Sequence, residues 1–289
     1  MLDKFRPYLE LNLSLILMST SGILGRVIDL PVSLIIFFRC VVGAIFLFFF
    51  IKIAKEKLQV RLKRHRFIIL LAGSLLSFHW VTYFFSIKIS SVAVGMISLF
   101  TYPVITTLIE PLFFKTKLSI IDLISSVAVI FGIFMIVPAF DLSNDITYGI
   151  LIGVFSALLY SVRNLLNKKL IHNYSSSVLM LYQLLISAIL LIPTLFIYDF
   201  QLDTVTIQLL LLLSIITTAT AHTLFVKSLK YFSTSTASIL SSLIPVYGIL
   251  WAVLFISEKL STEIIIGGSI IVLTVAAQSL KHYGQQKSG

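Results

Sequence analysis

The chain has 289 residues, of which 58% are hydrophobic and only 12% are charged. Soluble domains carry about 25% charged residues, so this composition excludes a soluble globular protein and indicates an integral membrane protein. The net charge of +10 does not indicate nucleic acid, because no basic motif interleaved with aromatic residues accompanies it. Seven Lys and Arg residues instead share the segment 52–66, where they are expected to set orientation against anionic lipid headgroups.

Apolar stretches of about 20 residues, enough to cross roughly 30 Å of hydrocarbon, follow one another along the chain. Charge clusters and turn residues separate ten predicted spans: 9–26, 32–51, 67–87, 91–110, 119–137, 148–167, 177–198, 207–226, 235–256 and 262–280. Span 1 has a longer apolar core than a signal peptide and no clean cleavage site, so we expect a retained helix. The single cysteine, Cys40, lies in span 2, which rules out an intramolecular disulfide.

A sequence segment that begins in span 4 is repeated in span 9. The segments TYPVITTLIEPLFFKTKLS (101–119) and LIPVYGILWAVLFISEKLS (243–261) are identical at eight of nineteen positions without a gap. We call the offset that carries Thr101 to Leu243 the repeat interval. An internal repeat of half the chain is the best explanation. We therefore predict two five-span repeats, residues 1–142 and 143–289.

The distribution of basic residues predicts the orientation. With the N-terminus inside, 17 Lys and Arg residues fall in inner segments and 3 in outer loops, so the positive-inside rule predicts that both termini are cytoplasmic. Five spans per repeat is an odd number, and the second repeat must therefore cross the membrane upside down. Such inverted repeats are a device of secondary transporters, which enclose a site near the bilayer midplane.

Several motifs together resemble the drug/metabolite transporter superfamily and, within it, the EamA type. They are Pro103-Val104 and Pro245-Val246, Ser257-Glu258-Lys259-Leu260 as a degenerate Gly-Glu-x-Leu, Arg39 in span 2, and small-residue linkers at 90–95 and 233–237. Two positions break the symmetry of the repeats, since Thr116 stands opposite Glu258, and Arg39 has no second Arg opposite it. The resemblance implies transport of small metabolites, commonly amino acids, through a central cavity. It implies walls from spans 1, 3, 4, 6, 8 and 9, with spans 5 and 10 as scaffold.

Polar and aromatic residues recur at helical spacing in these walls. Polar groups that face hydrocarbon are costly, so we expect the stripes to face a shared cavity suited to a zwitterionic or amphipathic solute. The predicted binding residues are Met18, Gly22, Arg39, His79, Trp80, Tyr83, Ser98, Tyr102, Tyr160, Asn164, Thr218, His222 and Ser241, with Ser238 and Ser242 on the same stripe of span 9. Hydrogen bonding and packing between helices is the alternative role for these residues.

Ionisable residues and prolines within spans add further hypotheses. Arg39 could meet either a solute carboxylate or a carboxylate of the protein, and Arg163 is expected to snorkel towards the cytoplasmic surface. The span histidines, His79 and His222, are expected to make structural hydrogen bonds or to couple transport to protons. Glu110, near the inner end of span 4, has an interfacial role as its simplest explanation. Pro103 and Pro245 occupy equivalent positions and are predicted hinges, because proline removes a helix hydrogen bond.

The sequence thus favours a secondary active or facilitative transporter that moves a small metabolite, an amino acid or related amphipathic solute, across the cell (inner) membrane by alternating access, with export as the expected direction. The sequence contains no phosphate-binding loop of the kind that an ATP-driven pump needs. We also expect no cofactor, metal or nucleic acid. We expect the protein to be surrounded by membrane lipid. The sequence does not indicate an oligomeric state. An intramembrane enzyme acting on a lipid-linked substrate would need catalytic motifs that are missing here. A passive channel would need a charged ring or a filter sequence.

Overall fold

The computed structural model describes residues 2–60, 62–115, 117, 120–136, 144–234, 237, 240–241 and 243–287. Thr116, Ser238, Ser242 and the predicted repeat boundary at 142/143 lie outside these ranges, so that boundary stays a prediction. Within them the regular structure is helical. Six segments, in spans 2, 3, 4, 6, 7 and 8, are long and apolar enough to cross a bilayer. The protein is therefore an all-α membrane protein, as its composition predicts.

Each predicted span coincides with one helix or with consecutive helices. Spans 1 to 5 are formed by Leu2–Ser19 and Ser21–Val27, Val32–Ile53, Lys63–Ile89, Val92–Leu99 and Tyr102–Phe113, and Ile120–Ile136. Spans 6 to 10 are formed by Asp145–Leu170, Ser176–Leu191 and Thr194–Ile197, Thr204–Ser228, Leu243–Ile256, and Thr262–Lys287.

Proline explains two of the breaks. Span 4 is interrupted just before Pro103 and span 7 just before Thr194, which follows Pro193. A proline has no backbone N–H, so the carbonyl four residues earlier loses its helical partner. Pro103 is consequently the second residue of its helix rather than the centre of a kink, and Pro245 is the third residue of its own helix.

The two halves of the chain interleave instead of forming separate bundles. Span 3 packs chiefly against spans 6 and 7, and span 8 packs against spans 1 and 2. Span 2 also pairs with span 7, and span 5 with span 10. One large core cluster contains buried side chains from both halves, such as Trp80 and Phe225. Most of the packing therefore lies between the halves, which depend on each other for burial.

One set of span ends meets at what we call the Glu10 face. The Lys227 ammonium at the end of span 8 lies 2.7 Å from the Glu10 carboxylate near the start of span 1. Ser175, ahead of span 7, donates a 2.7 Å hydrogen bond to Glu56, which follows span 2. A surface cavity of about 510 Å³ is lined by Glu56, Ser175 and Lys227 together. These ends therefore share one side of the molecule.

A second set of span ends meets at what we call the Glu258 face. Glu258, between spans 9 and 10, accepts hydrogen bonds from the backbone N–H groups of Val92 (3.1 Å) and Ala93 (2.8 Å) at the start of span 4. Lys88, at the end of span 3, donates to the carbonyl oxygen of Ile28 after span 1 (2.7 Å). The carboxylate satisfies N–H groups that have no partner within the helix.

One contact recurs at the repeat interval. Arg26, near the end of span 1, donates to the carbonyl oxygen of Ile87 at 2.9 Å, and Lys168, near the end of span 6, donates to that of Leu229 at 2.7 Å. The two donors are separated by the repeat interval, and so are the two acceptors. Each cation compensates free carbonyls where a helix ends. The repeat in the sequence therefore has a counterpart in equivalent contacts.

Candidate functional site

A small internal cavity lies where spans 1, 3, 4, 6, 8 and 9 meet, the six spans that the family resemblance assigns to the cavity wall. Its lining residues are Met18, Ser21, His79, Trp80, Tyr83, Leu99, Phe100, Tyr102, Tyr160, His222 and Ile244. The cavity volume is about 30 Å³, which is room for roughly two water molecules. The wall is therefore collapsed onto itself and would have to expand to admit a metabolite.

The repeat extends into the lining of this cavity. Three pairs of lining residues are separated by the repeat interval: Met18 and Tyr160, Trp80 and His222, Tyr102 and Ile244. The members of each pair differ in chemical type. The lining is thus symmetric in position and asymmetric in chemistry.

Seven of the predicted binding residues line the cavity: Met18, His79, Trp80, Tyr83, Tyr102, Tyr160 and His222. Gly22 lies just behind the wall, because a Cβ atom there would be 3.2 Å from the Tyr83 hydroxyl oxygen. The prediction missed Ser21, Leu99, Phe100 and Ile244. Ile244 could have been found as the repeat counterpart of Tyr102, whereas the other three carry no signal beyond adjacency to predicted residues.

Ser98, Ser241 and Asn164 do not line the cavity. The hydroxyl of Ser98 donates to the Val94 carbonyl at 2.7 Å, and that of Ser241 donates to the Ala237 carbonyl at 2.8 Å. These are bonds to the preceding turn of the same span, which fit the packing alternative better than solute contact. Both predicted hinges nevertheless adjoin the wall, because Pro103 follows Tyr102 and Pro245 follows Ile244.

Aromatic rings form the body of the site. The His79 ring stacks on Tyr160 with centroids 4.5 Å apart, and Tyr102 meets Tyr160 edge-on at 5.0 Å. The Nδ1 atom of His79 lies 2.8 Å from the Ser156 hydroxyl oxygen, and that hydroxyl donates in turn to the His79 carbonyl at 2.7 Å. The hydroxyl proton is thus already used, so Nδ1 must be the donor to Ser156. His79 is anchored by this reciprocal pair of hydrogen bonds.

Arg39 belongs to span 2, and its guanidinium lies against the ring of Trp80. Its side chain is 1% exposed, and the guanidinium carbon lies 4.0 Å from the centroid of the Trp80 ring. Nε donates to the Thr218 hydroxyl at 2.5 Å, while Nη1 and Nη2 have no hydrogen-bond partner among the described residues. The described ion pairs both involve Glu10, not Arg39. Among the described residues, no protein carboxylate therefore balances Arg39.

Span 8 changes from α- to π-helix over Leu213–His222. Within it the Thr218 hydroxyl donates to the Leu213 carbonyl five residues earlier, at 2.9 Å. Its only proton is thus used, and the oxygen is left to accept from Arg39. The same segment ends at His222, whose Nδ1 has no partner among the described residues. π-Helical turns are rare in proteins, and those that exist are often found at functional sites. The 3.6-residue period of an α-helical sequence pattern does not reveal them.

Arg163 does not snorkel, which corrects the expectation from its sequence position. Its side chain is fully buried and donates to Gln183 (2.8 Å), to Asn164 (3.0 Å) and to the sulfur of Met180 (2.8 Å). Neutral acceptors from spans 6 and 7 satisfy the guanidinium locally, so it has no need to reach the interface. Asn164 belongs to this network.

Three comparisons with known proteins agree with this architecture. A family model described as the EamA-like transporter family matches residues 8–137 and 147–279. The chain is 27% identical over 259 residues to an uncharacterized transporter, YxxF, of Bacillus subtilis (strain 168), a match that covers 88% of this chain and 83% of that protein. A solved crystal structure shares the fold with a TM-score of 0.73 at 15% identity, covering 95% of this chain and 98% of the other.

The fold and these matches define a multi-pass membrane transport protein, not an enzyme. Because the two matched segments together span most of its length, the chain belongs to the EamA-like transporter family. A transport protein of this kind acts on a small solute.

Proposed function

We propose that this transporter is a secondary carrier that exports a small amphipathic metabolite, an amino acid or a related compound, across the cytoplasmic membrane by alternating access. The observation that carries the proposal is the position of the cavity. It lies where six spans from both halves meet, and its lining includes pairs of residues at the repeat interval. Carriers built from inverted repeats hold their solute at such a junction.

Two observations support the inverted arrangement with cytoplasmic termini. The Arg26–Ile87 contact belongs to the Glu258 face, whereas the equivalent Lys168–Leu229 contact lies beside the N-terminal segment, where Phe232 packs against Tyr8 with centroids 4.9 Å apart. Equivalent contacts are thus expected on opposite sides of the membrane. The basic segment 52–66 adjoins the Glu10 face, so the positive-inside rule assigns that face to the cytoplasm.

Closure on both sides of the cavity is consistent with an occluded state. Towards the cytoplasm, the Lys227–Glu10 ion pair joins span 8 to span 1. Towards the outside, Glu258 holds the start of span 4. We expect these two contacts to open in turn as the halves rock about the cavity. Of the two span histidines, His222 is the stronger choice for proton coupling, because His79 is committed to Ser156.

The experiment is a metabolite screen comparing expressing and non-expressing cells, followed by counterflow in proteoliposomes at two pH values. Trp80→Ala should abolish flux, because it removes the ring that lines the cavity, while Phe78→Ala should leave flux intact. Trp80 is 1% exposed within the protein and Phe78 is 58% exposed towards lipid on the same helix. A purified protein that moves no solute from a broad panel, or two variants with equal flux, would contradict the proposal.

A further inference from the structure

We propose that the transported solute carries a carboxylate, that Arg39 is the group that binds it, and that the rest of the solute is uncharged and lies among the aromatic side chains of the cavity. This inference rests on the proposed carrier function and narrows its substrate class from amino acids and related amphipathic metabolites to amphipathic organic acids that carry no ammonium group.

The hydrogen bonding of Arg39 is incomplete among the described residues. A guanidinium has five N–H donors arranged as a rigid fork, and only the donor at Nε is used, by Thr218. Both terminal nitrogens are buried without a partner among the described residues. A buried donor that makes no hydrogen bond is costly, and more so when it is charged. The paired donors of such a fork match the two oxygens of a carboxylate.

The buried charges around the cavity are mainly positive. Arg163 is the other fully buried arginine there, and its described acceptors are neutral side chains. Glu110, the acidic residue of span 4, interacts with Lys168. The residues that line the cavity include no Asp or Glu. The described part of the site is therefore electropositive in a medium of low dielectric constant, which attracts an anion and opposes a second cation.

The two buried arginines differ in how many of their nitrogens have a protein acceptor. Arg163 has protein acceptors for Nε, Nη1 and Nη2, so its role is accounted for by holding spans 6 and 7 together. Among the described residues, Arg39 has an acceptor for Nε alone. Its two terminal nitrogens are therefore the donors that a carboxylate of the solute would satisfy.

Trp80 lines the cavity, and the Arg39 guanidinium carbon lies 4.0 Å from the centroid of the Trp80 ring. A cation over an indole face is a weaker arrangement than a bidentate ion pair in a desolvated site. We expect Trp80 to turn aside when a carboxylate arrives, and this movement also enlarges the cavity. Tyr83, Tyr102 and Tyr160 then surround the uncharged remainder of the solute.

Trp80 supplies a direct binding signal for the test. The chain has two tryptophans, Trp80 and Trp251, so Trp251→Phe leaves Trp80 as the sole indole emitter. The purified Trp251→Phe protein is titrated with acid–amide pairs of increasing size, from acetate and acetamide to phenylacetate and phenylacetamide. We expect Trp80 emission to change saturably, with at least one acid binding roughly tenfold or more tightly than its amide.

Substitutions of Arg39 assign that preference. Arg39→Gln should bind acid and amide equally, and Arg39→Lys should retain part of the preference because the charge remains. Arg64→Gln, the same change at an exposed position in the first turn of span 3, should preserve the full preference. If Arg39→Gln does not fold, the acid–amide comparison in the parent protein and in Arg39→Lys still decides.

The two proposals fail in different ways. If no acid in the series binds more tightly than its amide, or if Arg39→Gln keeps the preference, the organic-acid inference is wrong, whatever the flux measurements give. If acids bind preferentially but no solute moves in proteoliposomes, the carrier function is wrong and the acid site stands.

Discussion

At the scale of single residues, the site depends on side chains that position Arg39. Thr218 contributes its oxygen to Arg39 and its proton to the Leu213 carbonyl. Its neighbour Thr217 donates to the same carbonyl at 2.7 Å and is equally buried, but makes no described contact with Arg39. The two threonines therefore separate the positioning of Arg39 from the local bonding of span 8.

We predict that Thr218→Val weakens acid binding by up to about tenfold, since it removes the described hydrogen bond that orients the Arg39 guanidinium. Binding must then immobilise this side chain, which costs about 0.5–1.5 kcal/mol. Thr217→Val serves as the matched control, because it loses only the bond within span 8 and should keep acid affinity within about twofold. Titration of Trp80 fluorescence measures both variants. Equal losses in the two variants would mean that Thr218 does not position Arg39.

At the scale of elements, the ends and breaks of the helices carry the features related to movement. Span 4 begins at Val92, is interrupted before Pro103, and has its first N–H groups bound by Glu258 from the loop between spans 9 and 10. A carboxylate at this position satisfies free donors and also complements the positive end of the helix. A single side chain from the second copy of the repeated segment thus binds the start of span 4, the span that contains the first copy, on the Glu258 face.

We predict that Glu258→Ala loosens this face and lowers stability by about 0.5–2 kcal/mol, the usual cost of losing a helix cap. A cysteine introduced by Val92→Cys, at a position that is 0% exposed, should then react faster with a thiol reagent. Native Cys40 is buried and should contribute little background. Glu263→Ala removes an exposed acid from the first turn of span 10 and should leave the rate unchanged. An unchanged rate in Glu258→Ala would exclude this contact as the outer closure.

At the scale of the whole molecule, the two halves are interdependent. Spans 3 and 8 pack mainly on the opposite half, so a relative movement of the halves must slide these interfaces and reshape the cavity between them. The buried packing also explains why positions as distant as Trp80 and His222, whose rings lie 5.2 Å apart, belong to one site.

We predict that the loop between spans 7 and 8 is accessible from outside the cell and that the loop between spans 2 and 3 is not. In intact cells, a membrane-impermeant thiol reagent should label Gln201→Cys, between spans 7 and 8, and should not label Lys57→Cys, between spans 2 and 3. Both side chains are exposed, so permeabilised cells should label both variants and provide the control. Labelling of both in intact cells would overturn the proposed orientation.

The cavity-lining residues illustrate how far a sequence can be interpreted. His79, Tyr83 and Tyr160 could be identified because a polar or aromatic group within an apolar span must face protein or a wet cavity. Serines such as Ser98 could not be sorted in the same way, since a hydroxyl bonded to its own helix and one bonded to a solute have the same sequence signature. The burial of Arg163 could not be predicted, because two of its three acceptors, Gln183 and Met180, lie on another span.

Hydropathy, charge and internal similarity by themselves determined the number of apolar spans, the membrane class and the two related halves, because each of these is a property of neighbouring residues in one chain. The interleaving of the halves, the π-helical segment at Thr218 and the lack of partners for the terminal nitrogens of Arg39 among the described residues were decided only by the tertiary structure. The physical reason is that lipid tails are as apolar as the helices they surround. Hydrophobicity places a helix in the membrane, and only contacts between helices decide which of its faces meet.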